Sequence, residues 1–339
     1  MKIPRLVAFV TAASILSTGC DDPSPLSVDL IDTTSGAPEV VEISLGALPS
    51  GIAADVTGNA RRSLAGMVDD PVVGRIDAAA GLDFASPVVL SDAFEEGPVT
   101  EAVLELARSY RFGDTTSTVQ YSVRAIDEEW QAAGATSAGS IPFGAVITTG
   151  EISGSDTMLT IPLPSSWIEA NSALIRSTNF ANSFHGFYLE ATSGNAVLGF
   201  SSQSSSFRVV SGEDTVNFVV SRNLTLLSRD DSGVAPPGTA VLQDGVGLGL
   251  EVDFAAAEDQ LRDKALNRLV VRVPVDSLSA PPPPNFVRPR PFQVDLAGVT
   301  ADSVVVTLAV SVQDEQGYRF ESNSLNAVGQ EILLGQSPF

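Results

Sequence analysis

The chain has one cysteine, Cys20, and one histidine, His185, in 339 residues. A lone cysteine allows no disulfide within the chain, and one residue of each kind cannot build a zinc site from His and Cys ligands. Positive charge is scarce as well: 19 Lys and Arg stand against 41 Asp and Glu, a formal charge of −22. Nucleic acid and anionic lipid are both bound through Lys/Arg patches, so this balance argues against either as a partner. No apolar run approaches the roughly 20 residues of a membrane-spanning helix. The Gly-x-Ser-x-Gly elbow that exposes a nucleophilic serine is also missing.

What the chain does have begins at its N-terminus. Lys2 and Arg5 precede an apolar stretch from Leu6 to Leu16, and Ser17-Thr18-Gly19-Cys20 follows. This order of charged, apolar and small-residue regions is that of a secretory signal, here residues 1–19, and its apolar part is too short to span a bilayer. Loss of Lys2 and Arg5 with the signal moves the formal charge from −22 to −24. Residues 20–38 (from Cys20 through DDPSPLSVDLIDTTSGAP) are rich in Asp, Ser, Thr and Pro and read as a tether.

Beyond the tether the dominant signal has period two. Val119, Tyr121, Val123 and Ala125 alternate with polar residues, as do Leu248, Leu250, Val252 and Phe254. Ala102, Leu104 and Leu106, and Leu269, Val271, Val273 and Val275, repeat the pattern. Alternation of this kind sets one face of an antiparallel sheet on a core. It predicts strands at 40–45, 157–163, 186–191, 196–200, 206–210, 215–227, 292–296 and 303–312, separated by Gly, Asp, Asn and Ser turns. Helical signals are few: Ser166-Trp167-Ile168-Glu169 has capping-box spacing for a helix through Ile175, and short helices are expected at 127–133 and 258–266. The fold class expected is all-β, an antiparallel sandwich or jelly roll over 39–230 followed by a smaller β-rich domain over 238–339. The polar stretch Ser228–Thr239 separates the two. A proline-rich loop at 280–291 is expected to be a stiff, exposed excursion within the second.

Several segments are similar to a known group. Gly66, Asp70-Pro71 and Gly74 precede an apolar strand, Val99–Leu106 leads to a Gly113-Asp114 turn, and Val119–Val123 leads to Trp130. Further on come Phe184-His185-Gly186-Phe187-Tyr188-Leu189 and Ala196–Phe200, then Leu242–Gly247 and Ala265–Val271. Together these resemble uncharacterised bacterial surface lipoproteins with a DNRLRE-type jelly-roll domain. Leu16-Ser17-Thr18-Gly19-Cys20 likewise resembles a lipobox, with Ser17 where that motif usually has leucine. The lipobox resemblance implies lipidation of Cys20, which becomes the first mature residue. The surface group has no agreed activity, so no catalytic residues carry over from it.

Candidate chemistry is thin. His185 has Ser183 near it, and its place just before a strand reads as a turn or edge position. Asp69-Asp70 and Ser228–Gly233 contain paired acids, but neither has calcium-loop spacing, and both read as solvated turn aspartates. A sugar platform would need exposed aromatics. Tyr121 alternates with polar residues and is expected in the core, Tyr188 is expected to be exposed, Trp130 and Trp167 are expected to cover sheet ends, and Tyr110 and Tyr318 complete the set. The reading is a lipid-anchored envelope protein with a non-enzymatic binding or structural role, with no cofactor and no metal. It would be held to a membrane, most consistently the outer membrane, by the lipid on Cys20, and its partner would be an envelope protein or a glycan. A carbohydrate-binding or adhesive module and a polysaccharide-acting enzyme are the alternatives.

Overall fold

The computed structural model describes residues 40–45, 47–50, 57–58, 60–87, 89–131, 141–230, 249–252, 268–274, 282–288, 293–300, 303–313 and 319–322. It also describes 233, 241, 257, 260–261 and 325. Cys20, the tether, most of the 228–239 stretch and of the helix expected at 258–266, Pro289, Pro291 and Tyr318 lie outside these. The chain divides into two compact units, Met1–Ser44 and Leu45–Phe339. Of the first, residues 40–44 are described, and they form no strand, so the strand expected at 40–45 does not form. Val40 is 86 % exposed.

Every strand pairing among the described residues of the second unit is antiparallel. The unit runs through β1 (Ala47–Ser50), β2 (Thr57–Gly58), β3 (Arg62–Asp70), β4 (Gly74–Ala85), helix α1 (Asp92–Glu96), β5 (Val99–Asp114), β6 (Val119–Ile126), β7 (Phe143–Ile152) and β8 (Met158–Pro162). Helices α2 (Ser165–Ile175) and α3 (Phe180–Ser183) follow, then β9 (Phe187–Ser193), β10 (Ala196–Ser201), β11 (Ser206–Ser211) and β12 (Asp214–Arg229). The remainder is β13 (Gly249–Val252), β14 (Arg272–Pro274), β15 (Phe286–Val287), β16 (Gln293–Thr300), β17 (Ser303–Gln313) and β18 (Arg319–Ser322). Twelve strands share one hydrogen-bonded network, β14, β18, β17 and β16 form a separate four-stranded sheet, and β1 pairs with β13. The chain is therefore an all-β, sandwich-like protein with a small second sheet.

The long strands explain how one network encloses a core. β5 pairs with β11 and β8 along its first half and with β10 along its second. β12 pairs with β11 and then with β4. Because β10 also pairs with β3 and β3 with β4, the pairing closes on itself. Inside lie Phe84, Phe187, Phe207, Phe218, Phe180 and Phe184, with neighbouring ring centroids 4.6–6.1 Å apart. α2 adds Ile168 and Ile175 to this core and lays half-buried Trp167 on Phe187 at 5.6 Å. The helix begins at Ser165 with Pro164 as its cap and no side-chain cap bond, so the expected capping box is not made. At 127–131 the chain is irregular and not helical.

Two further apolar clusters cover the outer faces of the same strands. Tyr188, Leu224 and Leu226 pack with Ile126 at the end of β6 and with Trp130 and Ile141 from the β6–β7 connection. Val68, Ile76, Ala78 and Val197 pack under Phe286 of β15. Phe286–Val287 pairs with Gly113–Asp114 at the end of β5, so this short segment of the proline-rich region is a strand of the main sheet. Pro282, Pro283 and Pro284 before it are exposed.

Candidate functional site

One of several breaks in strand register lies on β12. Val220 pairs with Phe84 and Arg222 with Asp83, which leaves Ser221 as an extra residue in the ladder. Such bulges re-aim side chains and are frequent beside functional sites. Arg222 Nη2 lies 3.5 Å from the Asp83 carboxylate. Its Nη1 donates to the Trp130 carbonyl, and the guanidinium sits 5.4 Å from the centre of the Trp130 ring. The Asp83 side chain is 7 % exposed, and burial holds its carboxyl above the usual range. That effect is opposed by the Phe84 backbone N–H, which donates at 2.8 Å, and by the charges of Arg222 and His185.

His185 reaches this cluster from the loop after α3. Its carbonyl accepts the Trp130 indole N–H at 2.7 Å, and Gly186 turns the chain into β9 with φ +94°. A Cβ on Gly186 would stand 2.0 Å from the Leu82 carbonyl oxygen, so only glycine lets the two strands approach this closely. The His185 side chain is half-buried and makes no hydrogen bond among the described residues. Ser183 is not its partner: the Ser183 hydroxyl is exposed and accepts from the Asn179 amide at 2.8 Å. The structure thus gathers His185, Asp83, Arg222 and Trp130, and leaves Ser183 out.

Beside the bulge is a shallow groove of about 410 Å³ lined by Ala60, Arg61, Ser202, Gln203 and Val220–Asn223. The Ala60 carbonyl accepts from the Ser202 hydroxyl and from the Asn223 amide, both at 2.8 Å, and the Asn223 amide also donates to the Ser202 hydroxyl at 2.9 Å. The Ser202 N–H donates to the Arg61 carbonyl at 3.0 Å. Three distant stretches of sequence are tied together in this way into one wall. Asn223 itself is 4 % exposed, and its Oδ1 has no partner.

Other candidates are placed differently from expectation. Against the exposed position that alternation predicts, Tyr188 is 1 % exposed and stacks on Phe143 at 4.3 Å, because the β6–β7 connection covers that face of β9. Burial pushes its hydroxyl up to about 12. Trp130 is 3 % exposed, and Tyr121, at 0 %, lies in the core with its hydroxyl donating to the Ala65 carbonyl. Tyr110 is half-buried under Arg62. No coplanar pair of exposed aromatics exists among these four and Trp167.

Asp70 is not a solvated turn aspartate either. Its side chain is fully buried, caps the Val72 and Val73 N–H groups, and pairs with Arg288 at 2.6 and 2.9 Å. Asp230 is exposed, but it closes the β3–β4 turn by accepting from the Arg75 N–H. Among the described residues no three His, Cys, Asp or Glu side chains come together as a metal site would require.

Comparison with family models, with curated proteins and with solved structures finds no match.

Proposed function

We propose that the protein is a lipid-anchored component of a bacterial cell envelope, outer-membrane and periplasmic or surface-facing, that binds its partner without converting it. The observation that carries this reading is the order at the N-terminus: two basic residues, an apolar stretch too short to span, and small residues up to a sole cysteine. The diacylglyceryl and acyl chains on Cys20 supply the anchor, since two or more chains hold a protein stably while one does not. The acidic surface keeps the body solvated, and the tether gives it reach. We read the motif resemblance to surface lipoproteins with a DNRLRE-type jelly-roll domain as pointing the same way.

The geometry around β12 favours binding over hydrolysis. A histidine base must face a nucleophile and be oriented by a third group. His185 has a carboxylate in Asp83 beside it, while the serine nearest in sequence is engaged elsewhere. Carbohydrate adhesion by ring stacking draws little support, with Trp130 and Tyr188 buried.

The test is Cys20→Ala in cells labelled with a fatty acid. The wild type should fractionate with membranes and take the label, and the variant should do neither. A variant that stays membrane-bound, beside a wild type that takes no label, would remove the anchor from the account.

A further inference from the structure

Residues 282–288 are held by the main sheet in the way an open stretch of strand holds an added peptide. Phe286 and Val287 pair with Asp114 and Gly113 at the end of β5, and the Thr115 N–H donates to the Asn285 carbonyl at 2.7 Å. The Phe286 ring, 8 % exposed, packs with Val68, Ile76, Ala78 and Val197. Arg288 grips Asp70 with a forked contact, Nε on Oδ2 at 2.6 Å and Nη2 on Oδ1 at 2.9 Å. Backbone pairing, an aromatic anchor in an apolar pocket and a forked ion pair are separate means of recognition. All three meet on residues 285–288.

Neither side needs the other for its shape. Asp70 Oδ1 accepts from the Val72 and Val73 N–H groups of its own turn, at 2.7 and 3.1 Å, so the carboxylate is aimed without Arg288. The apolar wall comes from β3, β4 and β10, and the Asp114 N–H is fixed on the Asn195 carbonyl at 2.8 Å. In the segment itself, three prolines restrict the backbone before Asn285 turns the chain at φ +62°. The Phe286 N–H donates to the Pro283 carbonyl at 3.1 Å, and the Arg288 guanidinium lies 5.9 Å from the centre of the Phe286 ring. A ligand and a site that are both shaped in advance lose little freedom on meeting.

The attachment is also small and remote. Asp70 and Arg288 are 218 positions apart, and Pro282, Pro283 and Pro284 are exposed. The strands before and after the segment, β14 and β16, belong to the separate four-stranded sheet. A second copy of the chain can therefore offer the same segment to the same contacts with both sheets left intact, which is the geometry of segment exchange. The Asp70 side chain, 0 % exposed, calls for a cation from whichever copy supplies the segment.

We infer that the face formed by Asp70, Val68, Val197 and the end of β5 is a recognition socket for an extended Phe-x-Arg segment. It is filled in cis by 286–288 and takes the same segment from a second copy of the chain.

A fluorescent peptide of residues 282–288 is titrated by anisotropy into the full chain, purified in detergent and carrying Phe286→Ala and Arg288→Ala, which empties the socket. The peptide should bind saturably and raise the melting temperature of that chain. Adding Asp70→Asn keeps an acceptor for the turn N–H groups and should weaken the peptide about tenfold or more. Arg288→Lys in the peptide keeps the charge without the fork and should weaken it about fivefold or more. A scrambled peptide should not bind, which separates recognition from the general pull of a chain of −22 on any cation. The wild type, with its socket filled in cis, should bind the peptide about tenfold or more weakly than the emptied chain. Where the double variant does not fold, Arg288→Ala replaces it with the same expectations, and a chain that still fails should regain its melting transition on adding the peptide.

For the second copy, the emptied chain and an Asp70→Asn chain are mixed, both with Cys20→Ala so that no anchor holds them together. Sedimentation velocity should show a heterodimer that neither forms alone, because one contributes the socket and the other the segment. No saturable peptide binding, equal binding of the scrambled peptide, or indifference to Asp70→Asn would each overturn the inference. Peptide binding with no heterodimer at any concentration would overturn its reach to a second copy.

Discussion

Gly186 shows at one residue how tightly the β12 region is built. With φ +94° it occupies backbone space that side-chain-bearing residues rarely enter, and an added methyl would meet the Leu82 carbonyl oxygen at 2.0 Å. Gly186→Ala should lower unfolding free energy by about 1–3 kcal/mol from backbone strain alone, with the forced separation of β4 and β9 adding to it. Chemical denaturation measures this, and an unchanged midpoint would contradict the close approach. Asp83, the partner of Arg222 in the ladder, makes a different test. Burial raises its folded carboxyl above the usual range, so the folded chain holds that proton more tightly than the unfolded chain does. The cost of the ionised carboxylate is complete above the raised value and fades as pH falls toward the ordinary carboxylate range near pH 4. In Asp83→Asn this dependence disappears. The difference in unfolding free energy between variant and wild type should move in the variant's favour as pH rises from about 4 to neutrality, whatever fixed loss comes from the Arg222 contact. A pH-independent difference would mean that Asp83 is not buried as described.

Among the elements, β15 is the least expected contributor. Only two residues long, it pairs with the end of β5, seats Phe286 at 5.9 Å from Phe112, and places Arg288 on the buried Asp70 carboxylate. Arg288→Ala would leave that carboxylate buried without its cation. Losses of this kind run to about 3–5 kcal/mol, and the lower end is expected here because Arg288 is 24 % exposed. Urea unfolding should register the loss, with limited proteolysis near the proline-rich stretch accelerated in parallel. Full stability in the variant would mean that β15 is not held by this pair. Much else at this scale is legible in the sequence: β6, β8 to β12, β16 and β17 fall close to their expected places, and in β8 and β11 buried residues alternate with exposed or half-buried ones. β7 is missed because its residues are exposed and half-buried in no alternating order. Tyr188 is misplaced for a related reason. Alternation around it implies a wet face, but the β6–β7 connection folds over that face and buries it.

For the whole molecule, fold class was readable and the groove was not. Its residues come from 60–61, 202–203 and 220–223 and meet only through the bonds of Ala60, Ser202 and Asn223, so no local motif marks them. The local hints are an aspartate within Gly81-Leu82-Asp83-Phe84 and an asparagine before Leu224, polar residues set in apolar runs. The anchor is the reverse case, written entirely in contiguous residues. Its most direct test is the mass of the N-terminal peptide of the mature protein, recovered from the membrane fraction. The account predicts a chain that begins at Cys20 and carries the mass of a diacylglyceryl group. A chain that begins elsewhere, or an unmodified Cys20, would contradict it.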